Sequence, residues 1–114
     1  MAEGDAAAGK RVFNKCVSCH SLDQGVHKVG PSLFNIYLSK AGATEKYAYS
    51  KGVEAAAAKG LTWTDAALDK YLIDPKLFLE EIAGTKPLAN KMLFKLPKPD
   101  ERADVIAYLK SLKK

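Results

Sequence analysis

A cysteine-containing run near the amino end sets the strongest condition on how this chain can fold. Residues 16–20 read Cys16-Val17-Ser18-Cys19-His20 and contain both cysteines of the sequence. If the segment is helical, Cys16 and Cys19 lie on one face and His20 lies four residues beyond Cys16. A C-x-x-C-H run is the pattern by which haem c is attached. The two thiols reach the haem vinyl groups as thioethers, and the imidazole turns toward the iron. We therefore predict one covalently attached haem c per chain.

The same residues allow three other interpretations: a redox dithiol, a structural disulfide and a zinc site. A thioredoxin-like dithiol belongs to a βαβ context that the sequence does not indicate, and a structural disulfide uses the same two thiols. A zinc site could combine Cys16, Cys19, His20 and His27, but the separation of the two histidines exceeds the usual finger spacing. Covalent haem is the interpretation that accounts for all three residues of the motif.

The length and charge of the chain narrow its class. A chain of 114 residues forms one domain of modest core, to which a bound cofactor can add much apolar volume. We predict a single domain over residues 1–114, with 1–3 as a flexible tail. The 18 basic and 13 acidic residues give a net charge of +5, which is mixed charge rather than a nucleic-acid-binding tail. The longest uncharged stretch, Val29 to Ser39, is too short to span a membrane, so we predict no membrane insertion.

The pattern of apolar residues, caps and breakers predicts an all-α chain with long irregular loops. Glycine, proline and polar residues between Ser18 and Ser50 show no sustained period, and a second loop carries Pro87, Pro97 and Pro99. The predicted helices are Ala6 to Lys15, Val53 to Lys59, the segment after Thr64 through Leu72, Pro75 to Ile82, and a last helix from about Asp100.

The sixth position of the haem iron decides what the iron can do. Apart from Met1, the sequence contains one methionine, Met92, in a proline-bounded loop. A lone methionine is more often a core residue, but beside a haem its soft thioether is a ligand that raises the reduction potential. His27 is the competitor, and it lies in the loop on the same side as the attachment. We predict His20 and Met92 as the metal ligands and His27 as a hydrogen-bonding loop residue.

Further motifs follow in order along the chain. They are His27-Lys28-Val29-Gly30-Pro31, Tyr47-Ala48-Tyr49, Leu61-Thr62-Trp63, Tyr71, Pro75, Lys91-Met92-Leu93-Phe94 and Ile106-Ala107-Tyr108-Leu109-Lys110. With the C-x-x-C-H run, this order resembles the class I c-type cytochromes, and especially the bacterial cytochrome c2 branch, from about residue 4 to 113. The resemblance implies the cytochrome c fold, in which four to five helices and long loops wrap one covalently bound haem. It also implies that Gly9 and Phe13 of the first helix cross the last helix near Tyr108.

The resemblance further implies roles for individual residues. The Pro31 carbonyl would accept a hydrogen bond from the free N–H of His20, fixing its tautomer. Tyr49 and Trp63 match residues that hydrogen-bond a haem propionate, and Tyr71 matches a tyrosine beside the iron-bound sulfur.

The sequence departs from the family pattern at two places. Leu38-Ser39 replaces a Gly-Arg pair whose arginine pairs with a propionate, and Asn90 replaces a threonine before the methionine.

The function implied is that of a soluble, monomeric, single-haem electron carrier of the periplasm, not an enzyme, whose export signal is absent from this sequence. Its partners would be membrane redox complexes: a bc1-type donor, and a photosynthetic reaction centre or terminal oxidase as acceptor. The lysines expected to steer these partners flank the motif or the methionine loop, and are Lys15, Lys28, Lys76, Lys91, Lys95 and Lys98. The alternative is a haem peroxidase or gas-binding sensor with a labile sixth ligand.

Overall fold

The computed structural model describes residues 4–43, 47, 49–85, 89–90, 92 and 94–113. Its helices are α1 (Ala6–Val12), continued by a 3₁₀ turn (Phe13–Lys15), α2 (Lys51–Ala58), α3 (Asp65–Ile73), α4 (Pro75–Ala83) and α5 (Pro99–Ser111). The described part contains no strand, only an isolated antiparallel bridge between Lys40 and Thr62. The predicted all-α class is confirmed. The predicted tail 1–3 lies outside the described residues.

Side-chain caps decide where the helices begin. Ser50, Thr64 and Asp74 accept backbone N–H bonds from the first turns of α2, α3 and α4. The Ser50 cap starts α2 at Lys51, ahead of the predicted start at Val53, because an alanine run gives no sign of its own first residue. Among the described helices, none is long and apolar enough to cross a bilayer.

The crossing of α1 and α5 joins the two ends of the chain. A Cβ atom on Gly9 would lie 1.9 Å from the carbonyl oxygen of Asp104, so only glycine permits this approach. Beside it, the ring centroids of Phe13 and Tyr108 are 5.7 Å apart. The crossing expected from the resemblance is therefore present.

The segment between the 3₁₀ turn and α2 is a long loop, as predicted. Its second half is fixed to the residues before α3 by backbone bonds, from Leu38 N to Trp63 O and from Trp63 N to Ser39 O, both 2.8 Å long. Leu38 has φ 65°, a left-handed conformation that glycine adopts with less strain. The resemblance implies glycine at this position, and Leu38 forms the turn there at a cost in backbone strain.

Candidate haem site

A cavity of about 340 Å³ opens between the long loop, α3 and the segment around Met92. Its volume falls in the range of cofactor pockets, about 300–1,000 Å³, and most of its lining is apolar. Every residue predicted to bind the cofactor lines it: Cys16, Cys19, His20, Pro31, Tyr49, Trp63, Tyr71 and Met92. Residues far apart in the sequence are thus brought to one site.

The C-x-x-C-H run forms a single helical turn. The amides of Cys19 and His20 both donate to the Cys16 carbonyl, at 3.0 and 2.9 Å. Cys16 is half-buried and Cys19 is exposed. Burial, and then the neighbouring Cys19 sulfur, raise the pKa of the Cys16 thiol, while Lys15 lowers it. The turn therefore directs two thiols and one imidazole to one end of the cavity.

The His20 imidazole is held in one orientation and one tautomer. Its Nδ1 lies 2.8 Å from the Pro31 carbonyl oxygen, and because a carbonyl only accepts, Nδ1 carries the proton. The lone pair then sits on Nε2, the nitrogen suited to a metal. Burial lowers the pKa of His20, partly offset by the bond to Pro31, so the ring is neutral at physiological pH.

Gly30 leaves room for that ring. A Cβ atom at this position would lie 2.2 Å from His20 Cε1, well inside van der Waals contact. The Gly30 amide also donates to the Cys19 carbonyl at 2.7 Å. Gly30 and Pro31 therefore both contact the imidazole, Gly30 by leaving space for the ring and Pro31 by accepting its hydrogen bond.

The Met92 thioether is contacted from α3. The Tyr71 hydroxyl donates to Met92 Sδ at 3.3 Å, as the resemblance implied. Burial raises the pKa of Tyr71 to about 12, although its interaction with Asn90 lowers the pKa in part. The hydroxyl therefore keeps its proton, and donates it, throughout the physiological range.

Two predicted aromatic residues and one departure complete the wall. Trp63 packs edge-on against Tyr71, with ring centroids 4.9 Å apart, and Tyr49 also lines the cavity. Ser39, where the resemblance implies an arginine, donates its hydroxyl to the Ile36 carbonyl at 2.7 Å. Lys40 lines the cavity instead. Sequence reasoning missed Lys40 because an exposed lysine in a loop carries no signal of its neighbours.

His27 is a loop residue, as predicted. Its Nδ1 accepts from the Ser32 amide at 3.0 Å, and its ring lies beside Tyr47, at 5.6 Å between centroids. Among the described residues, no group of three or more His, Cys, Asp or Glu side chains could hold a metal ion. The structure therefore gives the zinc interpretation no support.

The predicted docking lysines differ in their surroundings. Some form ion pairs, namely Lys15 with Glu101 at 3.2 Å, Lys76 with Glu80 at 2.7 Å and Lys95 with Asp74 at 3.4 Å. An acidic partner cancels part of each cation's field, which weakens its reach toward another protein. The pairs of Lys15 and Lys95 join segments far apart in sequence, so the sequence alone does not reveal them. Lys76 and Glu80 lie one turn apart on α4, a spacing at which opposite charges pair. Lys91 lies outside the described residues.

Lys28 is the predicted docking lysine most closely tied to the motif. Its Nζ donates to the Val17 carbonyl at 2.6 Å, so its charge sits over the turn that carries both cysteines. Lys98 precedes α5 at its capping position. Lys28 therefore places its ammonium group against the attachment turn.

Comparison with known proteins identifies the family of this chain. The cytochrome c family model matches residues 6–113, and the chain belongs to the cytochrome c family. It is 52% identical over 114 residues to cytochrome c2 of Rhodospirillum rubrum, covering 99% of this chain and 84% of that protein. It is 50% identical over 111 residues to cytochrome c-550 of Novispirillum itersonii, covering 96% and 100%.

Solved structures show the same architecture. The structure of cytochrome c2 from Rhodospirillum centenum superposes with a TM-score of 0.88 at 38% identity, covering 97% of this chain and 100% of that one. Within the family, the chain is a class I c-type cytochrome of the cytochrome c2 kind, and thus an electron carrier rather than an enzyme. Membership implies a covalently bound haem c. The apolar cavity, the paired thiols and the neutral imidazole fit that group.

A substitution at Gly30 tests the geometry beneath His20. In Gly30→Ala, the new methyl group forces the imidazole away and weakens its bond to Pro31, so we expect an altered haem spectrum and a loss of about 1–3 kcal/mol in unfolding free energy. Gly25→Ala is the control, because its Cβ meets nothing within 4 Å at φ 75°. Backbone strain alone costs it about 1 kcal/mol. Visible spectroscopy and thermal melting decide: an unchanged spectrum in Gly30→Ala would contradict the close contact.

Proposed function

We propose that this chain carries one electron at a time on a single haem c, anchored by thioethers to Cys16 and Cys19 and ligated by His20 and Met92. The observation that carries the proposal is that these four side chains line one cavity, with the His20 Nδ1 proton already engaged by Pro31. When bound, the haem iron accepts and releases one electron. We also propose that residues 1–114 form a single domain, which contains this cavity.

Each ligand has a residue that orients it. Pro31 holds the His20 proton on Nδ1, which leaves Nε2 as the metal-binding nitrogen and raises its basicity. Tyr71 donates to Met92 Sδ, which uses one sulfur lone pair and leaves another for the iron. A thioether ligand favours iron(II) and raises the reduction potential. Tyr49 and Trp63 are proposed to hydrogen-bond a propionate.

Removing the thioether tests the second ligand. Met92→Ala opens the sixth position, so we expect loss of the weak near-infrared charge-transfer band of sulfur ligation, a lower potential, and gain of ligand binding and peroxidase activity. His27→Ala is the control and keeps the band, because its Nδ1 serves the Ser32 amide. Absorption spectra and redox titration of both variants provide the measurement. A band that persists in Met92→Ala would assign the sulfur ligand elsewhere. A native protein without the band would favour the peroxidase or gas-sensor alternative.

The relatives named cytochrome c2 and c-550 support a proposal about where the protein works and with which partners. We propose a periplasmic carrier that takes electrons from a bc1-type complex and delivers them to a photosynthetic reaction centre or a terminal oxidase. Acidic docking sites on such partners would meet the lysines around the cavity. Steering of this kind acts mainly on the rate of encounter. Because several of these lysines are ion-paired, we assign the largest share to Lys28.

Charge reversal at Lys28 tests that assignment. Lys28→Glu places a negative charge at the attachment turn, so we expect a severalfold slower second-order electron transfer at low salt and a flatter salt dependence. Lys28→Gln, which removes the charge without reversing it, should fall between. Lys59→Glu is the matched control, since Lys59 lies at the end of α2 and not at the attachment turn. Stopped-flow kinetics with an acidic redox partner across a salt series measures the effect. Equal slowing by Lys28→Glu and Lys59→Glu would reduce Lys28 to general surface charge.

A further inference from the structure

The segment that carries Met92 is fastened to the helices by backbone bonds on both sides. Before Met92, the Gly52 amide at the start of α2 donates to the Ala89 carbonyl at 2.9 Å. After it, the Leu96 amide donates to the Leu72 carbonyl of α3 at 2.7 Å. Between these two bonds, two side chains contact Met92: Tyr71 at the sulfur and Asn90 at the backbone carbonyl.

Asn90 is the side chain that reaches the methionine's own backbone. Its Nδ2 donates to the Met92 carbonyl at 2.8 Å, and its Oδ1 accepts from the Ser50 hydroxyl at 2.9 Å. Asn90 is partly buried and also lines the cavity. One amide group therefore bridges from Ser50 to the residue that carries the thioether.

Ser50 supplies a fixed anchor for this bridge. It is buried, with 8% of its surface exposed, and its Oγ accepts from the Val53 amide at 3.2 Å as the cap of α2. Because an oxygen lone pair is committed to the helix, the hydroxyl proton is free to point at Asn90. The amino end of α2 thereby holds the amide in a set orientation.

The chemistry of the amide explains why asparagine suits this place. An amide offers an acceptor and two donor hydrogens on one rigid plane. In this chain Oδ1 accepts from the Ser50 hydroxyl while Nδ2 donates to the Met92 carbonyl. A hydroxyl, such as that of the threonine implied by the resemblance, would have to make both bonds from a single oxygen atom.

We propose that Asn90 is a positioning residue, which ties the Met92 backbone to Ser50 and so limits how readily an outside ligand displaces the thioether. The proposal rests on the proposed role of Met92 as the sixth ligand. Asn90 acts through Met92 and does not itself hold the iron. Without the bridge, the Met92 backbone loses its tie to Ser50. The thioether then leaves the sixth position of the iron more often, and an outside ligand can replace it.

Displacement by imidazole in the oxidised holoprotein tests this role. Loss of the near-infrared sulfur band during titration gives the affinity directly. Removal of one net hydrogen bond corresponds to about a fivefold change in an equilibrium constant, so Asn90→Ala should bind imidazole about fivefold more tightly. Asn90→Asp keeps the acceptor for Ser50 but turns an oxygen toward the Met92 carbonyl, so we expect an increase at least as large. Asn90→Gln keeps the amide on a longer side chain, so we expect its imidazole affinity to lie between those of the native protein and Asn90→Ala.

Ser50→Ala and Thr64→Ala form a matched pair of controls. Each removes the cap of one helix, but only Ser50 also contacts Asn90. We therefore expect similar losses of melting temperature, with tighter imidazole binding in Ser50→Ala alone. In the Asn90→Ala background, Ser50→Ala should add no further increase in affinity.

The outcomes separate the proposals. Native affinity in both Asn90→Ala and Asn90→Asp, or an equal increase in Thr64→Ala and Ser50→Ala, would overturn the role of Asn90. A wild-type protein that lacks the sulfur band would instead overturn Met92 ligation, and with it the proposed function.

Discussion

The hydrogen bond between His20 Nδ1 and the Pro31 carbonyl is the contact on which the site depends. It fixes which imidazole nitrogen is available, and it holds the end of the C-x-x-C-H turn against the long loop at 2.8 Å. The loop can come so close only because Gly30 has no side chain. Burial then keeps the ring neutral, which is the protonation state that a metal requires.

The other side of the cavity is organised by polar contacts between loops and helix ends. Tyr71 and Asn90 contact Met92, and Ser50 links Asn90 to α2. Beyond Met92, the buried Arg102 guanidinium of α5 donates to Asp69 and to the carbonyls of Leu96 and Pro97. Breaking such a buried pair is costly because an uncompensated charge remains. The helices thus act mainly to hold two irregular segments at fixed positions.

The sequence revealed the features that local chemistry determines. The C-x-x-C-H run, the capping residues and the prolines act within a few residues of themselves, so the motif and most helix ends could be predicted. The role of Arg102 carries no local signal in the sequence, because its partners lie on α3 and on the loop after Met92. The bridge through Asn90 joins residues 40 apart in sequence, and the ion pairs of Lys15 and Lys95 also join distant segments. Such contacts depend on packing, which a single sequence does not display.

Mass measurement of the native protein after acid-acetone extraction tests the central claim most directly, because thioethers survive conditions that release a haem held by ligation alone. The account predicts that the colour stays with the protein and that the mass equals the polypeptide plus one haem. Cys16→Ala/Cys19→Ala protein should lose its colour to the acetone. A native protein that yields the bare polypeptide mass, with the pigment in the acetone, would contradict covalent attachment at Cys16 and Cys19.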